Sequence, residues 1–304
     1  MPDYFSRTFR VRWSEVNANG QVDLAGYLRY AIETAWDWGA ANGLSMEESE
    51  KLGLAWVIRE TEIYFYRPLY PGDVFDFKIW LLKWRRVRGT RGFELRLKNE
   101  GDLIAQGVQQ VVTLDSKTMR PAPPPESIMA NFQIENPHHI PQGRLPNYQM
   151  RDTAFKIESD VEWRDLDSQE HVNNAIYAVY AENMMTQTLA AMGWSPPDFK
   201  AQGLAVKIRR FHIAYQLPAV WGDTLAIAAD IVALEPTGGT WIIEIKRTAD
   251  GEPITRCLLE WALANRKSGE DQTMPENLFN TLKKLVGVVE KNYTDHAPES
   301  AGKS

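Results

Sequence analysis

Asp160-Val-Glu-Trp-Arg-Asp-Leu-Asp-Ser-Gln-Glu-His-Val-Asn-Asn-Ala-Ile-Tyr-Ala-Val-Tyr-Ala-Glu182 sets the architecture of the whole chain. It opens as an alternating strand and breaks into a short loop holding Asp165, Asp167, Glu170 and His171. It then runs into a segment where Tyr177, Tyr180 and Ala181 recur at helical spacing. A second version lies upstream, Arg10-Val-Arg-Trp-Ser-Glu-Val-Asn-Ala-Asn-Gly-Gln-Val-Asp23, continuing as Leu24-Ala-Gly-Tyr-Leu-Arg-Tyr-Ala-Ile-Glu33. There the positions of Asp167, Glu170 and His171 read Asn17, Gly20 and Gln21.

The two versions belong to one repeat with a constant offset of 150 residues. The register holds without a gap from Phe5/Phe155 to Ile104/Ile254. It passes through Trp13/Trp163, Tyr27/Tyr177, Tyr30/Tyr180, Gly43/Gly193, Arg59/Arg209, Pro68/Pro218, Asp73/Asp223 and Glu94/Glu244. Two copies are too few for a solenoid, so the period implies tandem domains. In each copy a strand (Thr8–Trp13; Lys156–Trp163) leads through the loop into a helix (Leu24–Asn42; Val172–Met192), which Gly43 or Gly193 stops. Four strands separated by turn signals follow, such as Pro71-Gly72-Asp73, Gly238-Gly239 and Asp250-Gly251. The expected fold class is α+β: two domains, each an antiparallel sheet of about five strands wrapped around one long helix.

The expected domains are residues 1–115 and 151–268. Between them, 116–150 carries Pro121, Pro123, Pro124, Pro125, Pro137, Pro141 and Pro146 and reads as a linker. Beyond them, 269–304 reads as a helix opened by Pro275, over Glu276–Asn292, and a disordered tail.

Bulk properties narrow the function classes. The chain has 304 residues and a formal net charge of −6, which argues against a general nucleic-acid binder. No apolar run approaches the roughly 18 residues of a membrane helix, and no leader is expected before the first strand. A single cysteine, Cys257, excludes an internal disulfide and fits a reducing cytoplasm. There is no Gly-x-Ser-x-Gly elbow, no P-loop, no dinucleotide fingerprint and no metal-ligand spacing, so neither metal nor cofactor is expected.

The loop Trp163-Arg-Asp-Leu-Asp-Ser-Gln-Glu-His-Val-Asn-Asn174 with Tyr177 resembles the signature of the hotdog-fold thioesterases. Within these it is most similar to the acyl-acyl-carrier-protein and 4-hydroxybenzoyl-coenzyme A thioesterase-like tandem hotdog group. Gly53-Leu-Ala-Trp-Val-Ile58, then Tyr66-Arg-Pro68 and Gly72-Asp73, looks like that group's first domain. The resemblance implies a thioester hydrolase of fatty acid metabolism, catalytic in the second domain and holding the acyl chain largely in the first. It puts the family's aspartate on Asp167 and its histidine on His171. Gln169 stands where plant members have asparagine, and the family's strand glutamate falls on Pro218.

The residues themselves allow the chemistry. A carboxylate beside a helix N-terminus can act as base or nucleophile at a carbonyl, while unpaired helix amides receive the oxyanion. The expected catalytic set is Asp167, His171 and Gln169, with the Val172 and Asn173 amides as oxyanion donors. Asp167 with Glu170 also reads as a capping box, a structural helix start. The repeat weighs against that: Asn17 caps as well as an aspartate would, so only chemistry loses by the amide. Trp56 and Tyr177 are pocket candidates. Lys83, Arg85, Arg86, Arg88 and Arg91 form a cationic hairpin, either a solvated turn or a docking patch for an acidic carrier protein or coenzyme A. The competing functions are an acyl-thioester hydratase or dehydratase on the same fold and a non-catalytic acyl-binding module. A monomer and a homodimer both fit the sequence, with no nucleic acid or membrane as partner.

Overall fold

The computed structural model describes residues 4–287. It divides into two compact units, one built on the chain up to Val22 and Gly26–Arg144, the other on Asp23–Ala25 and the chain from Leu145. In the first, β1 (Phe5–Arg10) is followed by α1 (Leu24–Ala41), a short α2 (Met46–Lys51), β2 (Leu54–Phe65), β3 (Val74–Arg85), β4 (Arg88–Leu97), β5 (Leu103–Asp115) and a one-turn α3 (Glu126–Met129). The second repeats this order: β6 (Phe155–Asp160), α4 (Asn174–Ala191), α5 (Pro196–Ala201), β7 (Leu204–Tyr215), β8 (Thr224–Glu235), β9 (Gly238–Arg247), β10 (Pro253–Asn265) and α6 (Glu276–Lys283).

Every strand pair within a unit is antiparallel, in the orders β1-β3-β4-β5-β2 and β6-β8-β9-β10-β7. Each sheet wraps one central helix, so the expected tandem hotdog architecture is the one observed. Alternation creates the sheet's two faces: β1 and β6 both run half-buried, exposed, half-buried along their length. The helix supplies the complementary stripe, with Leu24, Tyr27, Leu28 and Ala31 buried on α1 and Tyr177, Tyr180, Ala181 and Met184 on α4. An 18-residue helix is about 27 Å long, enough to span the sheet it crosses.

The wrapping has a visible cause. β3 and β8 each carry one extra residue, between Leu81/Lys83 and between Ile231/Ala233. β2 and β7 do the same, at Arg59 and at Arg209. All four bulges sit at matching repeat positions, and a bulge bends its strand and tightens its twist.

The proline-rich segment does more than connect. Pro125 and Pro275 flank α3 and α6 at matching positions, so the repeated unit runs on through what reads in sequence as linker. A proline at a helix start has no amide to lose, which is why this density of prolines still permits a helix. The rest of the segment covers the sheets' outer faces. Ile140 packs with Trp80 and Val108 in the first unit; Leu145, Tyr148 and Met150 pack with Ile242, Leu258 and Val232 in the second. The terminal helix stops at Lys283, short of the expected Asn292. The expected tail lies outside the described residues.

Polar anchors fix the strap at matching sites. The Trp80 indole N–H donates to the His138 carbonyl at 2.9 Å. At the equivalent position, Asp230 is 3% exposed and accepts from the Tyr148 hydroxyl at 2.9 Å and the Arg151 amide at 3.0 Å. It also takes the Arg151 guanidinium at 2.6 Å. Removing one member of a buried charge pair strands the other, so Asp230→Ala is expected to lose roughly 2–4 kcal/mol of stability. Urea unfolding checks this; an unchanged midpoint would mean the strap needs no anchor.

Candidate active site

The loop that enters α4 is a tight turn closed on itself. The Asp167 amide donates to the His171 carbonyl at 2.9 Å, and the Glu170 amide donates to the Asp167 carbonyl at 3.0 Å. Asp167 Oδ1 accepts the Gln169 amide at 2.9 Å. The first copy draws the same turn: Asn17 amide to Gln21 carbonyl at 2.8 Å, Gly20 amide to Asn17 carbonyl at 2.8 Å, and Asn19 amide to Asn17 Oδ1 at 2.9 Å. Asn17 and Asp167 are therefore interchangeable as turn formers, and they differ in charge. Asp167 and His171 are half-buried, while Gln169 and Glu170 face solvent.

Several expected assignments change here. Asp167 is not the helix cap, so the capping-box reading fails. α4 begins at Asn174, and its cap is Asn173, whose side chain accepts the Ala175 amide at 3.0 Å. The Val172 and Asn173 amides cannot receive an oxyanion, because each is already bonded inside the protein. Val172 donates to the Ala219 carbonyl at 2.9 Å, and Asn173 donates to the Asp165 carbonyl at 2.8 Å. Among the described residues the Asn174 N–H, the next one along, has no partner. It is the one donor at the start of α4 available to a developing negative charge.

Asp165 and Tyr177 are structural. Asp165 Oδ2 accepts the Tyr180 hydroxyl at 2.8 Å, and Glu15 accepts the Tyr30 hydroxyl at 2.7 Å in the first copy. Burial first, then the carboxylate, pushes both phenols well above the ordinary tyrosine value. Tyr177 is 4% exposed and its hydroxyl accepts the Ala219 amide at 3.1 Å, as Tyr27 accepts that of Leu69. Burial pushes the Tyr177 phenol up to about 12. A residue doing the same task in both copies is holding the turn beside the loop. Trp56, in the first unit, is half-buried on β2 with its ring tilted against Trp84 at 5.7 Å.

Asp167 and His171 make no hydrogen bond or ion pair with each other's side chains among the described residues. The position where the resemblance put a glutamate, Pro218, offers its carbonyl to Arg247 at 3.0 Å. Arg247 is held by Asp223 and Asp250, as part of the turn packed on the loop through the His171–Val220 bridge. No group of three His, Cys, Asp or Glu side chains among the described residues is placed to hold a metal.

On the cationic hairpin, Lys83, Arg85, Arg86 and Arg88 are exposed, and the three arginines have no carboxylate partner among the described residues. Arg91 leaves the patch: its guanidinium turns to Gln109 Oε1, with Nε at 2.8 Å. The Trp84 indole N–H closes the turn on the Arg86 carbonyl at 3.0 Å.

The loop also stores strain. Glu170 sits at φ 62°, where its twin is Gly20 at φ 76°. A side chain in the left-handed region costs on the order of 1 kcal/mol that glycine avoids. Glu170→Gly is expected to raise stability by about 0.5–1 kcal/mol, seen as a higher urea midpoint at unchanged slope. A lower midpoint would show that Glu170 is held by contacts stronger than its strain.

Comparison with known proteins agrees with the repeat. The family model described as the thioesterase-like superfamily matches twice, over residues 11–132 and 161–282. A chloroplastic palmitoyl-acyl carrier protein thioesterase of Cuphea hookeriana is 23% identical over 284 residues, covering 86% of this chain and 63% of that protein. The chain thus spans less than two thirds of that relative's length. A Lactobacillus plantarum structure assigned as an oleoyl thioesterase superposes with a TM-score of 0.74 at 20% identity, covering 90% of this chain and 98% of that one. An acyl-ACP thioesterase from Bacteroides thetaiotaomicron gives 0.71 at 17% identity, covering 85% and 97%. No helix of the described residues is long and apolar enough to cross a membrane. Matched in both halves and folded as two tandem hotdog domains, the chain belongs to the thioesterase-like superfamily.

Proposed function

We propose that this protein hydrolyses fatty acyl thioesters to the free acid and thiol at a single site in its second unit. One observation carries the reading. The two copies share three hydrogen bonds of the same turn, yet only the second places a carboxylate, Asp167, in the loop that leads to an unpaired helix amide at Asn174. The names of the relatives support the substrate class.

In the proposed reaction the thioester carbonyl oxygen lies on the Asn174 N–H, with the positive end of the α4 dipole behind it. Asp167 takes a proton from the attacking water, or itself attacks the carbonyl carbon to form an anhydride that water then opens. The carbon–sulfur bond breaks, the thiolate leaves with its electron pair, and a proton from the carboxyl or from solvent returns to it. In this reading His171, one end of the same turn and half-buried, orients the water, while Gln169 is an exposed polar neighbour. A cytoplasmic setting belongs to the proposal, supported by one cysteine, Cys257, free and buried.

Asp167→Asn copies the twin's Asn17, so the turn is expected to survive while thiol release falls about 10²–10⁴-fold. Thiol-reagent assays on acyl-carrier and acyl-coenzyme A substrates measure it. Unchanged turnover would remove Asp167 from the mechanism. Wild type without thiol release would favour the hydratase or the binding module.

For the carrier, docking is assigned to Arg85, Arg86 and Arg88, an unpaired cationic turn on a chain of net charge −6. The matching turn of the second copy, from Glu235 to Gly238, has no cation. Reversing Arg85 and Arg88 to Glu is expected to raise KM for an acyl-carrier substrate at least about tenfold, a loss that salt mimics in wild type. Turnover of a short synthetic thioester should stay unchanged; equal losses on both substrates would exclude the patch.

A further inference from the structure

The helix-facing side of the first sheet carries a polar row that the second sheet lacks. Arg91 on β4, Gln109 on β5 and Thr61 on β2 lie directly opposite one another on neighbouring strands. Residues so paired share a side of the sheet, and alternation along each strand fixes which side. On β2, Thr61 shares it with Phe65, whose ring meets Tyr27 of α1 at 4.9 Å. On β4, Arg91 shares it with Phe93, which stacks on Phe77 at 5.3 Å. In the second unit the same row reads Trp241, Leu259 and Phe211, all buried and uncharged. The fold therefore closes without a charge at this place.

The row's donors outnumber its acceptors. Arg91 turns Nε and Nη2 onto the one Gln109 oxygen, at 2.8 and 2.5 Å, and meets no carboxylate among the described residues. Gln109 is 1% exposed, and its side-chain amide N–H groups have no acceptor among the described residues. The Thr61 hydroxyl is fully buried and has no partner. An unpaired buried hydroxyl and a cation without counter-charge both cost stability, which the second unit avoids. Burial pulls the Arg91 guanidinium down to about 10, so it still carries its charge at neutral pH. Apolar rings flank the row. On one side Phe93 lies over Gly107; on the other Trp84 lies across Gly89 and against Val111, with the Trp56 ring 5.7 Å from it.

We propose that Arg91, Gln109 and Thr61 form a binding site in the first unit for a carboxylate carried on an alkyl chain. Three neighbouring strands offer donors to one group rich in acceptors, and the guanidinium supplies the opposite charge. The flanking rings take the methylenes. Arg91 is half-buried, which leaves its side chain open to a ligand. The alkyl chain rests on the thioesterase reading, where such a carboxylate is either the free acid released or the far end of an ω-carboxyacyl substrate.

Dodecanoate titrated calorimetrically into the full chain is expected to bind wild type at least about tenfold more tightly than dodecan-1-ol does. Arg91→Gln removes the charge and is expected to cost dodecanoate about tenfold or more. Thr61→Val removes only the unpaired hydroxyl and is expected to cost it about threefold while raising the urea midpoint, so misfolding cannot explain the loss. Dodecan-1-ol is expected to bind all three proteins alike. Wild type that binds acid and alcohol equally, or variants that keep wild-type affinity for dodecanoate, would overturn the site. The dodecanedioate monothioester identifies the source. If Arg91→Gln raises its KM and spares that of the dodecanoyl thioester, the substrate's far end occupies the site; if it spares both, the free acid does. Wild type without thiol release but with the dodecanoate pattern intact would end the thioesterase reading and leave the site standing.

Discussion

A helix enclosed by a single curved sheet has to enter it through a loop whose backbone groups all need partners. At the start of α4 this requirement settles nearly every donor. Val172 bonds the turn after β7, Asn173 bonds back to Asp165, and the Asn173 side chain takes Ala175. Among the described residues one amide is left, at Asn174. An unpaired donor at a helix start is uncomfortable unless something negative visits it. The proposed site would thus be a by-product of how the fold closes, with the side chains of the neighbouring turn determining what chemistry it supports.

Duplication separates scaffold from chemistry. Pairs that do the same work in both copies, such as Tyr30 on Glu15 with Tyr180 on Asp165, mark what the fold requires. So do Tyr27 with Tyr177 and the four bulges at matching positions. Pairs that differ mark what one copy has been free to change. Asn17 against Asp167 exchanges a neutral turn former for a charged one while the turn keeps its hydrogen bonds. Gly20 against Glu170 puts a side chain where the backbone prefers none, and strain of this kind gathers at functional turns. Leu24 against Asn174 keeps the amide and differs in whether Glu182 covers it.

The proline-rich segment shows the same division at a larger scale. Its prolines forbid strands, yet they open α3 at the position where Pro275 opens α6. Its apolar residues cover the face of each sheet that the helix leaves bare, and its polar anchors differ, an indole N–H at Trp80 and a carboxylate at Asp230. A one-helix sheet has two faces to bury, and a chain of this length meets that need with its own connector.

Features that depend on local spacing were legible before any fold was known. The 150-residue register, the periods of two and of three to four, the glycine stops and the contrast of Asn17 with Asp167 all lie in the chain, and together they imply two tandem domains, each a sheet around one helix. Spacing also drew attention to the loop of the proposed site and misjudged the amides beside it, because a free N–H is defined by what every other group has done. Val172 is bonded by Ala219, and Leu24 by a side chain 158 residues away. No period or propensity records such a pairing. Burial patterns are printed along the chain because each residue faces in or out in its turn; hydrogen-bond partners across long separations are assigned only when the sheet has closed around its helix.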